Sequence, residues 1–175
     1  FSGVSGLLWT AFRPLLPDAQ YPSSRDFDVS DYQQMRGYVR GHPCTTIVHA
    51  AAFTSPPRID QDPGIAIDVN IVGTAHVVRL CMELGCRLIY LSTDYVFRGD
   101  KGNYNEEDAL HPVNRYAWSK LGGECAVRMY DKGLIVRTTF GPDVFPFPGA
   151  FVDQWTSRES VSVIARKIVR LLDTD

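Results

Sequence analysis

Three short aliphatic runs, each set between segments of helical spacing, limit what this chain can fold into more than any other feature. Thr45-Thr46-Ile47-Val48-His49-Ala50, Arg87-Leu88-Ile89-Tyr90-Leu91-Ser92 and Gly133-Leu134-Ile135-Val136-Arg137-Thr138 are rich in β-branched and aliphatic residues. Continuous apolar strands are covered on both faces, and strands that alternate with helices join as βαβ units in a parallel sheet. Right-handed crossovers then wind the chain into an α/β, doubly wound parallel sheet. Ligands of such sheets sit beyond the carboxyl ends of the strands, which puts residues 50–54, 92–95 and 138–141 on one rim.

The spacing predicts helices over residues 6–16, from Ser30 or Asp31 to about Arg40, and over 63–84, 114–130 and about 160–172. In the third of these, Ile67, Ile71, Ala75, Val78 and Met82 share an apolar stripe. A short extended segment near residues 19–22 and polar loops over 98–112 complete the reading. The net charge is −2 with both signs mixed along the chain, so no basic field points to nucleic acid or an anionic membrane. No apolar run of membrane-spanning length and no signal peptide stand out. Cys44, Cys81, Cys86 and Cys125 lack Cys-x-x-Cys and metal-ligand spacing, so they read as reduced thiols in or near the core, with no metal site and a cytoplasmic setting.

Tyr116-Ala117-Trp118-Ser119-Lys120 carries the chemistry. Residues four apart share a helix face, so a phenol and an ammonium converge. A nearby cation lowers a phenol from its usual pKa of about 10 and fits it for general acid/base work. Some twenty residues earlier, the strand 87–92 ends in Ser92 and Thr93, whose hydroxyls can hold a carbonyl oxygen against that phenol. The bland alternatives are a solvated surface pair and a strand-end turn whose hydroxyls cap backbone groups.

Leu91 to Gly99, Glu106-Glu107-Asp108, Pro112 to Tyr116 and Ser119 to Glu124 resemble the dTDP-4-dehydrorhamnose reductase group of extended short-chain dehydrogenases/reductases. His49 to Thr54 and Val69 to Thr74 resemble further fixed segments of that group. The resemblance implies a Rossmann-like fold and NAD(P)H-dependent reduction of a 4-keto sugar carried on a nucleotide. It implies that Thr93 polarises the carbonyl, Tyr116 delivers the proton, and Lys120 holds the nicotinamide ribose. It places Asp28 and Val29 beside the adenine, and Ala50, Ala51 and Ala52 along the cofactor's sugar and phosphates, with Ser92 on the same side. Thr54, Thr93, Asp94 and Arg158 fall on the substrate side, where Trp155 can stack on a base and Arg158 pair with a diphosphate. In the group, the residue matching Asn70 supports the catalytic helix, although an exposed helix position fits Asn70 equally well. Pairing of two copies through the helices that hold Tyr116 and Asn70 is also implied.

Gly3 and Gly6 have the spacing of the last two glycines of a pyrophosphate-binding loop that opens a helix. Past the next extended segment come Ser23, Ser24 and Arg25, groups that suit a 2′-phosphate, so NADP is expected ahead of NAD. The chain departs from the group in two places. No strand precedes the glycines, and residues 143–175, where Asp153-Gln154 resembles a sugar-phosphate loop, form a shortened substrate-side region after a dinucleotide-binding domain over 1–142. A related epimerase or dehydratase is a second reading, weakened because Asp94-Tyr95 supplies no Asp-Glu pair beside Thr93. A third is a cofactor-binding regulatory subunit without catalysis.

Overall fold

Strands β1 (Thr46–His49), β2 (Arg87–Ser92) and β3 (Gly133–Arg137) lie side by side in that order, all parallel. They belong to a computed structural model that describes residues 1–3, 6–146, 148, 149, 153 and 156–174. The register sets His49 beside Tyr90 and Ser92 beside Arg137, so the three strands end on a common rim. Phe140–Gly141 and Glu159–Ser160 (β4 and β5) form a second, two-stranded parallel sheet.

Side chains on a strand alternate between faces, and both faces are covered. Ile47, Leu88 and Tyr90 pack with Phe27, Met35, Val39, Val77, Cys81 and Val127. Val48, Ile89 and Leu91 pack on the other side with Leu8, Phe12, Ile164, Ala165 and Ile168. The first set engages α2 (Tyr32–Gly41), α5 (Gly73–Leu84) and α6 (Arg115–Val127). The second engages α1 (Leu7–Phe12) and α7 (Val161–Leu172). The doubly wound parallel sheet read from the sequence is the observed architecture. Helix α7 thereby shares a core with α1, which ends four residues earlier than its spacing suggested.

Asp31 caps α2 by accepting from Gln34 N at 3.0 Å, and Asn114 caps α6 by accepting from Ala117 N at 2.8 Å. Between β1 and β2 the chain adds a short helix, α3 (Pro56–Gln61), which the sequence reading did not contain. Next comes a continuous helical stretch of α4 (Pro63–Ala66), a π-helical segment (Ile67–Val72) and α5. That stretch, Pro63–Leu84, is long and apolar enough by composition to cross a membrane, which corrects the sequence reading. Here its buried face carries Ala66, Asn70, Thr74, Val77 and Cys81. The expected stripe is displaced, with Ile67 at 49% and Met82 at 45% exposure, because two positions of the buried face are polar. The cysteines are all free; Cys81 and Cys86 are buried, Cys44 is half-buried, and Cys125 is exposed rather than near the core.

Candidate active site

Tyr116 stands in the first turn of α6, and Lys120 follows one turn deeper on the same helix. Thr93 closes β2 and caps a 3-10 turn (Asp94–Val96), its hydroxyl accepting from Tyr95 N at 3.2 Å. Tyr95 meets the Tyr116 ring edge-on at 6.4 Å between centroids. The Thr93 hydroxyl, which donates to Asp94 Oδ1 at 3.4 Å, is near enough to the Tyr116 phenol to favour its ionised form. The strand end and the helix therefore converge as the sequence spacing anticipated.

The electrostatics do not follow the sequence reading. Burial, then the Asp94 carboxylate and Tyr95, push the Tyr116 phenol up to about 12, with the nearby Thr93 hydroxyl acting in the opposite sense. The expected downward pull by Lys120 is absent. Lys120 is 2% exposed, and burial brings its ammonium down to about 7 against the opposing pull of Glu124. Its Nζ lies over the Tyr90 ring, 4.2 Å from the centroid, rather than on the phenol. Spacing brought the two residues to one helix face, but burial and the neighbouring carboxylates decide their charges.

Asn70 is fully buried, which settles its alternative. Its Oδ1 accepts from Phe53 N at 2.7 Å, while Nδ2 donates to Phe53 O at 3.0 Å and to Ser119 Oγ at 2.8 Å. Ser119 donates in turn to the Tyr116 carbonyl at 2.7 Å. Sequence reasoning missed Glu124 and Arg137. Ser92, expected near the cofactor, donates at 2.5 Å to Glu124 Oε1, and Arg137 holds the same carboxylate through Nε and Nη2, at 2.8 Å for the shortest contact. The i, i+4 step from Lys120 to Glu124 was the available signal.

At the cofactor end, Gly3 has φ +89 and lies so close to the Ala50–Ala51 backbone that a Cβ there would be 2.7 Å from Ala51 N. No residue with a side chain fits there, so Gly3 lies directly on the backbone of residues 50–51. Gly6 precedes α1. Ser24 and Arg25 are exposed, whereas Ser23 donates to Asp26 at 2.6 Å and is committed locally. Asp28 Oδ1 accepts from Ser30 N and Oγ, and Val29 is buried against Gly73. The exposed Ser24 and Arg25, the backbone cradle at Gly3, and a lysine whose ammonium meets a ring rather than an acceptor fit a phosphorylated dinucleotide.

On the substrate side Thr54 is exposed, and Asp94 accepts from Ser157 Oγ at 3.1 Å. Arg158 is exposed, its guanidinium laid against Gly141. Gln154 and Trp155 lie outside the described residues. Among the described residues no group of three or more His, Cys, Asp or Glu is placed to hold a metal.

Comparison with known proteins agrees with this geometry. The family described as RmlD substrate binding domain matches residues 3–170. A dTDP-4-keto-6-deoxy-D-glucose reductase of Streptomyces niveus is 33% identical over 172 residues, 93% of this chain and 60% of that protein. Methionine adenosyltransferase 2 subunit beta of Xenopus laevis is 30% identical over 115 residues, 66% of this chain and 34% of that protein. The solved structure of dTDP-4-dehydrorhamnose reductase from Bacillus anthracis in complex with NADP superposes with a TM-score of 0.89 at 27% identity, covering 99% of this chain and 69% of that one. The chain thus spans about 60% of the length of its Streptomyces relative and has the Rossmann-like fold of the solved reductase.

Proposed function

The chain belongs to the RmlD substrate binding domain family, and from that premise we propose that it carries the dinucleotide-binding and catalytic part of an NADPH-dependent reductase of nucleotide-linked 4-keto sugars. The observation that carries the reading is the Tyr116 phenol set beside the Thr93 hydroxyl at the rim, with Lys120 sealed one turn below. We assign it to the short-chain dehydrogenase/reductase superfamily on the same arrangement.

A bound reduced nicotinamide supplies the hydride. The residues do the rest. A phenol held near 12 keeps its proton at neutral pH, which is the state a reductase needs. Thr93 and Tyr116 direct their hydroxyls at one carbonyl oxygen, so the negative charge that develops on that oxygen takes the Tyr116 proton. Lys120, whose ammonium lies over the Tyr90 ring rather than on the phenol, would hold the nicotinamide ribose. Arg25 and Ser24, exposed at the turn after residues 19–22, favour a 2′-phosphate and hence NADP over NAD. The free cysteines accord with a cytoplasmic setting, and exposed Ile67, Val72 and Trp118 accord with pairing of two copies through the long helices.

The test mixes full-length protein with NADPH or NADH and a panel of nucleotide-linked 4-keto sugars, and follows nicotinamide absorbance. Turnover that prefers NADPH is expected, and Tyr116→Phe should lower it at least about a hundredfold while retaining NADPH binding. Preference for NADH would remove the Arg25 argument. The likeness to methionine adenosyltransferase 2 subunit beta favours a second reading, a cofactor-binding regulatory subunit. Tight NADPH binding with no turnover of any sugar would select it.

A further inference from the structure

His49 ends β1 with no exposed surface, and both of its ring nitrogens are engaged. Nδ1 lies 2.8 Å from Ser2 Oγ, and Nε2 lies 3.0 Å from Thr74 Oγ1. Neighbours fix the protons. Thr74 has one hydroxyl proton, and it goes to the Asn70 carbonyl at 2.7 Å. Thr74 therefore accepts from Nε2–H. In a neutral ring Nδ1 is then the acceptor, so Ser2 donates to it, and the Ser2 oxygen takes Ala51 N–H at 3.3 Å.

The bonds run in one direction, from Ala51 N–H through Ser2, His49 and Thr74 to Asn70. Each member polarises the next in the same sense. Asn70 is also the residue whose side chain holds Phe53 and Ser119, and through Ser119 the Tyr116 carbonyl. Its backbone carbonyl packs on α6 as well, since a Cβ at Gly123 would lie 2.8 Å from it. The groups facing the imidazole are the Lys120 ammonium and the Tyr90 ring at 5.4 Å; burial and then the Lys120 charge oppose protonation.

We propose that His49 is a positioning residue, a neutral imidazole in a single tautomer that holds the backbone of residues 50–53 in register with the helix bearing Tyr116. An imidazole suits this place because it presents an acceptor and a donor at opposite ends of a rigid ring. Asparagine or glutamine reaches only one end. The proposal rests on reading the cleft as a reductase site, since the register matters where a cofactor laid on residues 50–52 must meet Tyr116.

The experiment uses full-length wild type, His49→Leu, His49→Gln and Thr74→Val. NMR follows the Asn70 side-chain amide and the His49 ring nitrogens from about pH 5 to about pH 8, the range in which an ordinary histidine titrates. Kinetics give kcat and KM for the best sugar, and fluorescence gives the Kd for NADPH. In His49→Leu the Asn70 amide should move, and kcat should fall about 10- to 100-fold while Kd changes far less, as a small misplacement of the acid predicts. His49→Gln, which keeps the donor to Thr74 but loses the acceptor for Ser2, should recover only part of kcat. Thr74→Val should reproduce the Asn70 change in a core of nearly the same shape. A wild-type His49 that titrates in that range, an unmoved Asn70 amide, or equal kcat losses in the Gln and Leu variants would overturn the proposal. A wild type without turnover whose Asn70 amide still responds supports the coupling and refutes the reductase reading instead.

Discussion

Glu124 shows how much one side chain decides at the residue scale. It is fully buried, shares its carboxylate between Ser92 and Arg137, and lies one turn beyond Lys120. Removing one partner of a buried pair leaves the other charge uncompensated, at a cost of about 3–5 kcal/mol, whereas removing both is often close to neutral. Arg137→Met should therefore lower the unfolding free energy by about that amount in urea titrations, and Glu124→Met with Arg137→Met should restore much of it. Equal losses in the single and double variants would show that the network matters for packing rather than for charge. None of this was legible in the sequence. Tyr116, Thr93 and Lys120 could be read because a helix repeats every few residues and a strand has an end. Glu124 meets Arg137 only because β3 lies beside β2 with Arg137 opposite Ser92, and register between distant strands leaves no local trace.

At the scale of elements, the critical contact is α6 against the π-helical segment. Gly123 lets the two approach: a Cβ there would run into the Tyr90 hydroxyl and stand 2.8 Å from the Asn70 carbonyl. Gly123→Ala should cost about 1–3 kcal/mol by overpacking. Gly37→Ala, in α2 with nothing within 4 Å of its would-be Cβ, should instead gain up to about 1 kcal/mol from helix propensity. Thermal melts of the two variants that moved in the same direction would contradict this packing account. Element by element, the strands and the caps of α2 and α6 were readable, since aliphatic runs and Asx caps are local signals. The buried face of the long helix was not, because Asn70 and Thr74 occupy two of its inward positions. Helix α3 went unread; proline at its first helical positions begins it without strain.

The whole molecule is a parallel sheet with a core on each side and its chemistry gathered on one rim. That much followed from alternating strands and helices. The charge state of the rim did not, because it depends on what is sealed from water rather than on what is near in sequence. Burial brings the Lys120 ammonium down to about 7, against the opposing pull of Glu124. Any ligand that accepts hydrogen bonds from its ammonium raises that value, so filling the cleft must draw hydrogen ions from solution. The sign follows: NADPH should bind most tightly below about pH 7 and progressively more weakly above it, up to the raised value in the complex. Calorimetry in two buffers of unlike ionisation heat should then report different binding enthalpies, and Lys120→Met should shrink the difference. Identical heats in both buffers would mean that the lysine never changes its charge. If the difference is found, the molecule meters acidity as it loads, and its saturation with reductant follows the pH around it.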